Sequence, residues 1–232
     1  MSASSPQKNP HLKQLWPVTI LSRRFGKFQK INPELIQLFR QYQADNPRGS
    51  GSVYSSPDNF AETVDSPALK DLEKFILDNI FAVAAELNGS YWPQGLSLDV
   101  RMTGLWFQIS NGYGFHETHV HGNCSWSGVY YVQSGSASKR PGDVGDNGMP
   151  NGITRFYGPH MEYQAAGHGD YGNYYLQDHV YDSFPEDGKL VIFPSYLKHM
   201  VFPYNGDEDR IIVSFHAIVD GDKELRYGYS FS

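Results

Sequence analysis

The sequence predicts a mainly β protein with two helices near its N-terminus, an α+β arrangement. Three observations carry this. The long helical periodicities lie before residue 90, and the apolar runs after residue 95 are short and bounded by glycine, proline or asparagine. Aromatic residues make up 15% of the 232-residue chain and concentrate in those runs, as pleated sheets favour. A barrel or sandwich of this length forms one domain, so residues 1–232 are read as a single unit with a helical region at about 32–89.

In chain order, residues 15–21 carry Trp16, Val18 and Ile20 at period two, and Pro17 confines such a strand to a sheet edge. Asn32-Pro33 opens the first helix, with Asn32 as cap, Pro33 in the first turn and Leu35, Leu38, Phe39 and Tyr42 as its apolar stripe. A polar Gly/Ser/Asn/Pro stretch, 45–59, breaks the pattern. Ser66-Pro67 starts the second helix. Leu69, Leu72, Phe75, Ile76, Ile80, Val83 and Leu87 then recur at helical spacing until Asn88-Gly89 ends it. Strands are expected at 96–108, 115–121, 127–133, 153–157, 189–194 and 210–219, with turns at Asn111-Gly112 and Asn205-Gly206. Two irregular stretches, 134–152 and 158–187, are long enough to be read as lids.

Charge and composition exclude some functions. Nineteen basic against twenty-five acidic residues give a net charge of −6, which disfavours a nucleic-acid partner held through its phosphates. The single cysteine, Cys124, cannot form an internal disulfide. The polar start lacks the apolar core of a secretory signal, and no run reaches eighteen apolar residues, so a cytoplasmic protein with no membrane partner is expected.

The chemistry concentrates in His119-Val120-His121, answered downstream by His199 and then Arg210. On a strand, residues two apart share a face, so His119 and His121 can grip one metal ion, and a third imidazole closes the site. The segment from Gly188 to His199 places a turn glycine, an apolar strand, a terminating proline and then the histidine, which suits a ligand at the mouth of a barrel. Arg210 is the anchor expected for a small dicarboxylic acid beside that metal, because a guanidinium pairs with a carboxylate through two parallel hydrogen bonds.

At these residues the chain resembles a family of iron(II) and 2-oxoglutarate-dependent oxygenases. The resemblance rests on H-x-H-x5-S-G-V-Y-Y from His119 to Tyr131, F-P-S-x3-H from Phe193 to His199, and R-x3-S-F from Arg210 to Phe215. It implies a double-stranded β-helix (a jelly-roll, cupin-like barrel) with the metal at one end. It also implies that His119, His121 and His199 hold iron, that Arg210 binds the far carboxylate of 2-oxoglutarate, and that O2 is the oxidant. The wider superfamily uses two histidines and one carboxylate. Glu117 offers such a carboxylate two residues before His119, so Glu117, His119 and His199 form an alternative triad.

Other residues are placed by strand phase. Ser214 shares the Arg210 face and can reach the same carboxylate, and either Tyr131 or Tyr130 supplies a nearby phenol. Trp106 and Gln108 precede the site and are candidate substrate contacts. His216 continues the Arg210 face and is read as an ordinary barrel histidine, His116 is out of phase with His119, and His160, His168 and His179 are read as solvated. No catalytic side chain beyond the metal centre is expected. The functional expectation is a dioxygenase that hydroxylates a small molecule or peptide with release of succinate and CO2. The alternatives are a cupin-type three-histidine dioxygenase or isomerase and a metal-binding barrel without turnover. The second cupin motif is incomplete, since Tyr196 and Pro203 stand where it wants glycine and asparagine.

Overall fold

The computed structural model describes residues 18–49, 51–159 and 179–221. In chain order the elements are β1 (Leu21–Arg24), α1 (Phe28–Asp45), β2 (Val53–Ser55), α2 (Phe60–Thr63), α3 (Pro67–Asn88), β3 (Leu98–Ser110), β4 (Gly114–His119), β5 (Trp126–Gln133), β6 (Thr154–Tyr157), β7 (Val180–Ser183), β8 (Lys189–Pro194), β9 (His199–Tyr204) and β10 (Arg210–Gly221).

The strands form two antiparallel sheets. The larger has the order β1-β8-β5-β10-β3-β2 and the smaller β4-β9-β6-β7. Alternation along the large sheet explains its two packed faces. Tyr130, Leu190, Ile192, Ile211, Val213 and Phe215 point to one side, where α1 and α3 lay Ile31, Leu35, Phe39, Leu72, Ile76 and Ile80 against them. The intervening residues Val129, Tyr131, Val191, Phe193 and Ile212 point the other way, toward Phe156 of the small sheet. The stacked rings of Phe39 and Phe107, 4.3 Å apart, tie α1 to β3. This is the double-stranded β-helix, with helices on its outer face.

Several expectations need correction. Of the strand expected at 15–21, residues 15–17 lie outside the described part and 18–20 are not strand; β1 starts at Leu21 and does lie at a sheet edge. Helix α1 begins at Phe28, one turn before Asn32, and Asn32 does not cap it. Asn32 is buried, donates to the Val132 carbonyl at 2.7 Å and accepts from the Tyr130 hydroxyl at 2.7 Å, so it fastens α1 to β5. The second helix is as expected: Ser66 caps α3 by accepting from the Leu69 amide, and Pro67 opens it. The polar stretch 45–59 contains β2, and 158–187 contains β7. His160 and His168 lie outside the described residues. No described helix is long and apolar enough to cross a membrane.

Candidate metal centre and anion pocket

Between the two sheets lies a cavity of about 560 Å³ including its open mouth. The expected strand through residue 121 ends at His119, and Val120 and His121 continue as a loop. His119 still meets its partners. It sits opposite His199 in the β4–β9 ladder, although β9 had no strand signal of its own. His121 is brought in by its backbone, whose amide donates to the Ser195 carbonyl at 2.9 Å. Ser195 is itself fixed, because its amide bonds the Ser125 carbonyl and its hydroxyl lies 2.8 Å from the Ser127 hydroxyl. The F-P-S segment therefore serves as the brace for the His121 loop.

His119, His121 and His199 place one ring nitrogen each within 4.8 Å of one another. Three nitrogens that share one ion at about 2.1 Å lie roughly 3.0–3.4 Å apart, so ligation draws the cluster together. Two of the rings have their orientation set by backbone carbonyls. The Nδ1 of His119 lies 2.6 Å from the Glu117 carbonyl, and that of His199 lies 2.8 Å from the Leu197 carbonyl. Each therefore leaves Nε2 as its free ligand atom. Burial, followed by the neighbouring imidazoles His216, His199 and His119, holds His121 down at about 3. Burial likewise holds His199 at about 4, against the Leu197 hydrogen bond that favours its charged form. At neutral pH both are uncharged and have lone pairs available for a cation.

Strand β4 departs from simple alternation, and this changes which residues face the cavity. Its pairing with β9 shifts register between Gly114 and His116 and again between His116 and His119. An inserted residue re-aims the side chains that follow. His116, expected out of phase, lines the cavity, and Glu117, expected to share the His119 face, is exposed and not part of the histidine cluster. His216, expected to be an ordinary barrel histidine, also lines the cavity. Its ring lies 4.4 Å from that of His121, and its buried Nε2 has no partner among the described residues.

Arg210, Ile212, Ser214 and His216 follow one another along the cavity face of β10. Arg210 is 2% exposed, and its Nε and Nη2 have no hydrogen-bond partner among the described residues. Its guanidinium carbon lies 5.3 Å from the Tyr131 ring centroid, and the Tyr131 hydroxyl meets Thr154 Oγ1 at 3.2 Å. Tyr130 faces the helices instead, so Tyr131 is the phenol on the cavity side. Trp106 and Gln108 line the cavity from β3, and the Trp106 ring stands edge-on to His216 at 4.8 Å. Within S-G-V-Y-Y, Gly128 is required by space, since a Cβ there would stand 2.2 Å from Phe215 and 2.4 Å from the Val191 carbonyl oxygen. Among the polar lining residues, strand phase put His216 on the right face but did not find His116 or Thr154. A β-bulge gives no period to read, and β6 offered only four residues.

Residues 104–216 match the model of a family described as "Putative 2OG-Fe(II) oxygenase", 2OG standing for 2-oxoglutarate. Over these residues, just under half of the chain, the sequence matches a 2OG-Fe(II) oxygenase domain. That span contains the three histidines, Arg210 and every described residue that lines the cavity. No curated protein matches the sequence. Among solved structures, the strands and helices of this chain resemble those of SnoN, described as a non-heme alpha ketoglutarate dependent epimerase from nogalamycin biosynthesis. Identity is 14%, coverage 86% of this chain and 76% of that one, and the TM-score 0.56. They also resemble HygX from Streptomyces hygroscopicus, solved with nickel and 2-oxoglutarate bound. There identity is 13%, coverage 86% and 82%, and the TM-score 0.52. At these identities the likeness concerns the fold.

Proposed function

We propose that the protein is an iron(II)- and 2-oxoglutarate-dependent dioxygenase in which His119, His121 and His199 hold the metal and Arg210 anchors the far carboxylate of the co-substrate. The observation that carries this reading is Arg210. A guanidinium withdrawn from water without a counter-ion is costly, and this one faces three imidazoles across a cavity. A dianion that touches both the metal and the arginine accounts for both features. The histidine cluster fits a divalent cation on the chemistry of its donors: three nitrogens converge, and two of the rings are held by backbone carbonyls. When bound, iron with 2-oxoglutarate and O2 supplies the oxidation, coupling release of succinate and CO2 to attack on a substrate C–H bond.

The protein's own contribution is placement. Arg210 with Ser214 and Tyr131 fixes one end of the co-substrate, and the apolar walls Phe193, Val201 and Ile212 exclude water. Trp106, Gln108 and His216 line the part of the cavity left for a small molecule or peptide, which we assign as a substrate to be hydroxylated. Among the described lining residues, Arg210 is the only arginine or lysine.

The test is to add Fe(II) to metal-free protein without oxygen, titrate 2-oxoglutarate and follow the visible charge-transfer band of a chelated 2-oxo acid. Succinate formation is then measured in air. A saturable band and slow succinate release are expected. Stoichiometric iron with neither band nor succinate would end the assignment.

A further inference from the structure

The register of the small sheet arranges its cavity face in two rows. His119 pairs with His199, which pairs with Phe156; this is the row of the histidine cluster. Two residues further along β9, Val201 pairs with His116 on one side and Thr154 on the other. The second row lies about 6.6 Å from the first. It is also the level of Arg210, because Thr154 Oγ1 meets the Tyr131 hydroxyl and Tyr131 lies beneath the guanidinium. A five-carbon diacid that reaches from the histidine cluster to Arg210 must pass His116, whose imidazole is turned inward by the β4 register shifts.

The hydrogen-bond count leaves room for it. A carboxylate has about four acceptor positions on its two oxygens, and Arg210 has two buried nitrogens, Nε and Nη2, that are unengaged among the described residues. His116 is not part of the histidine cluster, so it is free to act as a donor, and a neutral imidazole supplies one N–H without adding charge. We infer that His116 donates a hydrogen bond to the far carboxylate of the co-substrate, so that the anion pocket is a pair, Arg210 and His116, contributed by opposite sheets. This rests on the 2-oxoglutarate reading above and adds a residue to it.

The experiment compares wild type, His116→Ala and His116→Asn, each loaded with Fe(II) under anaerobic conditions. Each is titrated with 2-oxoglutarate and with 2-oxopentanoate, the same five-carbon chain without the far carboxylate. His116→Ala should weaken 2-oxoglutarate by roughly tenfold, the worth of one hydrogen bond to a charged group, and leave 2-oxopentanoate unchanged. His116→Asn, which restores an N–H, should recover part of the loss. Equal weakening of both acids would mean a general defect of the site, and unchanged 2-oxoglutarate binding would mean no contact; either overturns the inference while the 2-oxoglutarate reading stands. Failure of iron-loaded wild type to bind 2-oxoglutarate removes both.

Discussion

Replacing Arg210 by methionine should move stability and binding in opposite directions. Its Nε and Nη2 are buried and unpaired among the described residues. Each such donor costs about 1–3 kcal/mol in lost hydration. Methionine keeps most of the aliphatic stem and removes that cost, and loses the guanidinium's contact with Tyr131. Metal-free Arg210→Met should therefore gain roughly 1–3 kcal/mol, the range seen when buried charges give way to apolar groups. The same change strips the co-substrate of its buried counter-ion, a loss of about 3–5 kcal/mol, or roughly 150-fold to a few thousandfold in Kd. Urea unfolding of the metal-free proteins and anaerobic 2-oxoglutarate titration of the iron forms measure the two effects. A variant that is less stable and binds 2-oxoglutarate as well as wild type would show Arg210 to be structural, and would refute the reasoning.

Three other changes follow from the same geometry. His121→Asp puts a carboxylate in place of one imidazole, removing one unit of positive charge from the loaded site. It should hold Fe(II) better against zinc and copper and bind the dianionic co-substrate a few-fold more weakly, as metal competition and titration will show. Lowering pH should destabilise the metal-free protein. Histidines in the unfolded chain titrate near 6.5, whereas burial holds His116 and His199 at about 4 and His121 at about 3. Between about 6.5 and 4 the unfolded state takes protons that the folded state refuses, so stability present above 6.5 is lost as pH falls, at up to about 1.4 kcal/mol per unit per histidine. Urea midpoints that stay flat from pH 7.5 to 5 would contradict the burial. Asn32→Leu leaves the Tyr130 hydroxyl and the Val132 carbonyl unpaired in the core and should cost about 2–5 kcal/mol. It should leave 2-oxoglutarate affinity intact, because Asn32 lies on the helix side of the large sheet.

Sequence pattern showed most clearly what regular periodicity produces. Strands β3, β5, β8 and β10 are long or strongly apolar and build the centre of the large sheet, and α3 carries both its cap and its stripe. Of the strands missed, β2 and β7 are only three and four residues long, and β9 contains Pro203, which argues against a strand in the sequence; β1 was placed too early. Asn32-Pro33 was misread because a helix start and a buried amide use the same residue type, and the real start at Phe28 has no side-chain cap. Within the site, the spacing of the histidines and Arg210 was legible because His119, His199 and Arg210 sit at strand ends and His121 follows β4 by two residues. His116 and Glu117 exchanged roles because two register shifts in β4 defeat alternation. His216 looked ordinary because only packing shows that its Nε2 has no partner among the described residues.

The division of the site between the two sheets has a consequence for the life of the protein. The strand imidazoles belong to β4 and β9 of the small sheet and the arginine to β10 of the large one, and the cavity between them occupies space that side chains fill elsewhere. The apolar cluster joining the sheets is also the smaller of the two. On this reading iron and 2-oxoglutarate act as a removable piece of the interior. At a hundredfold excess over its Kd, a ligand that binds only the folded state adds about 2.7 kcal/mol. The small sheet should then exchange its amides more slowly as the cofactors are supplied. Protein made when iron is scarce should be the first cleared by proteases, which take the opened state.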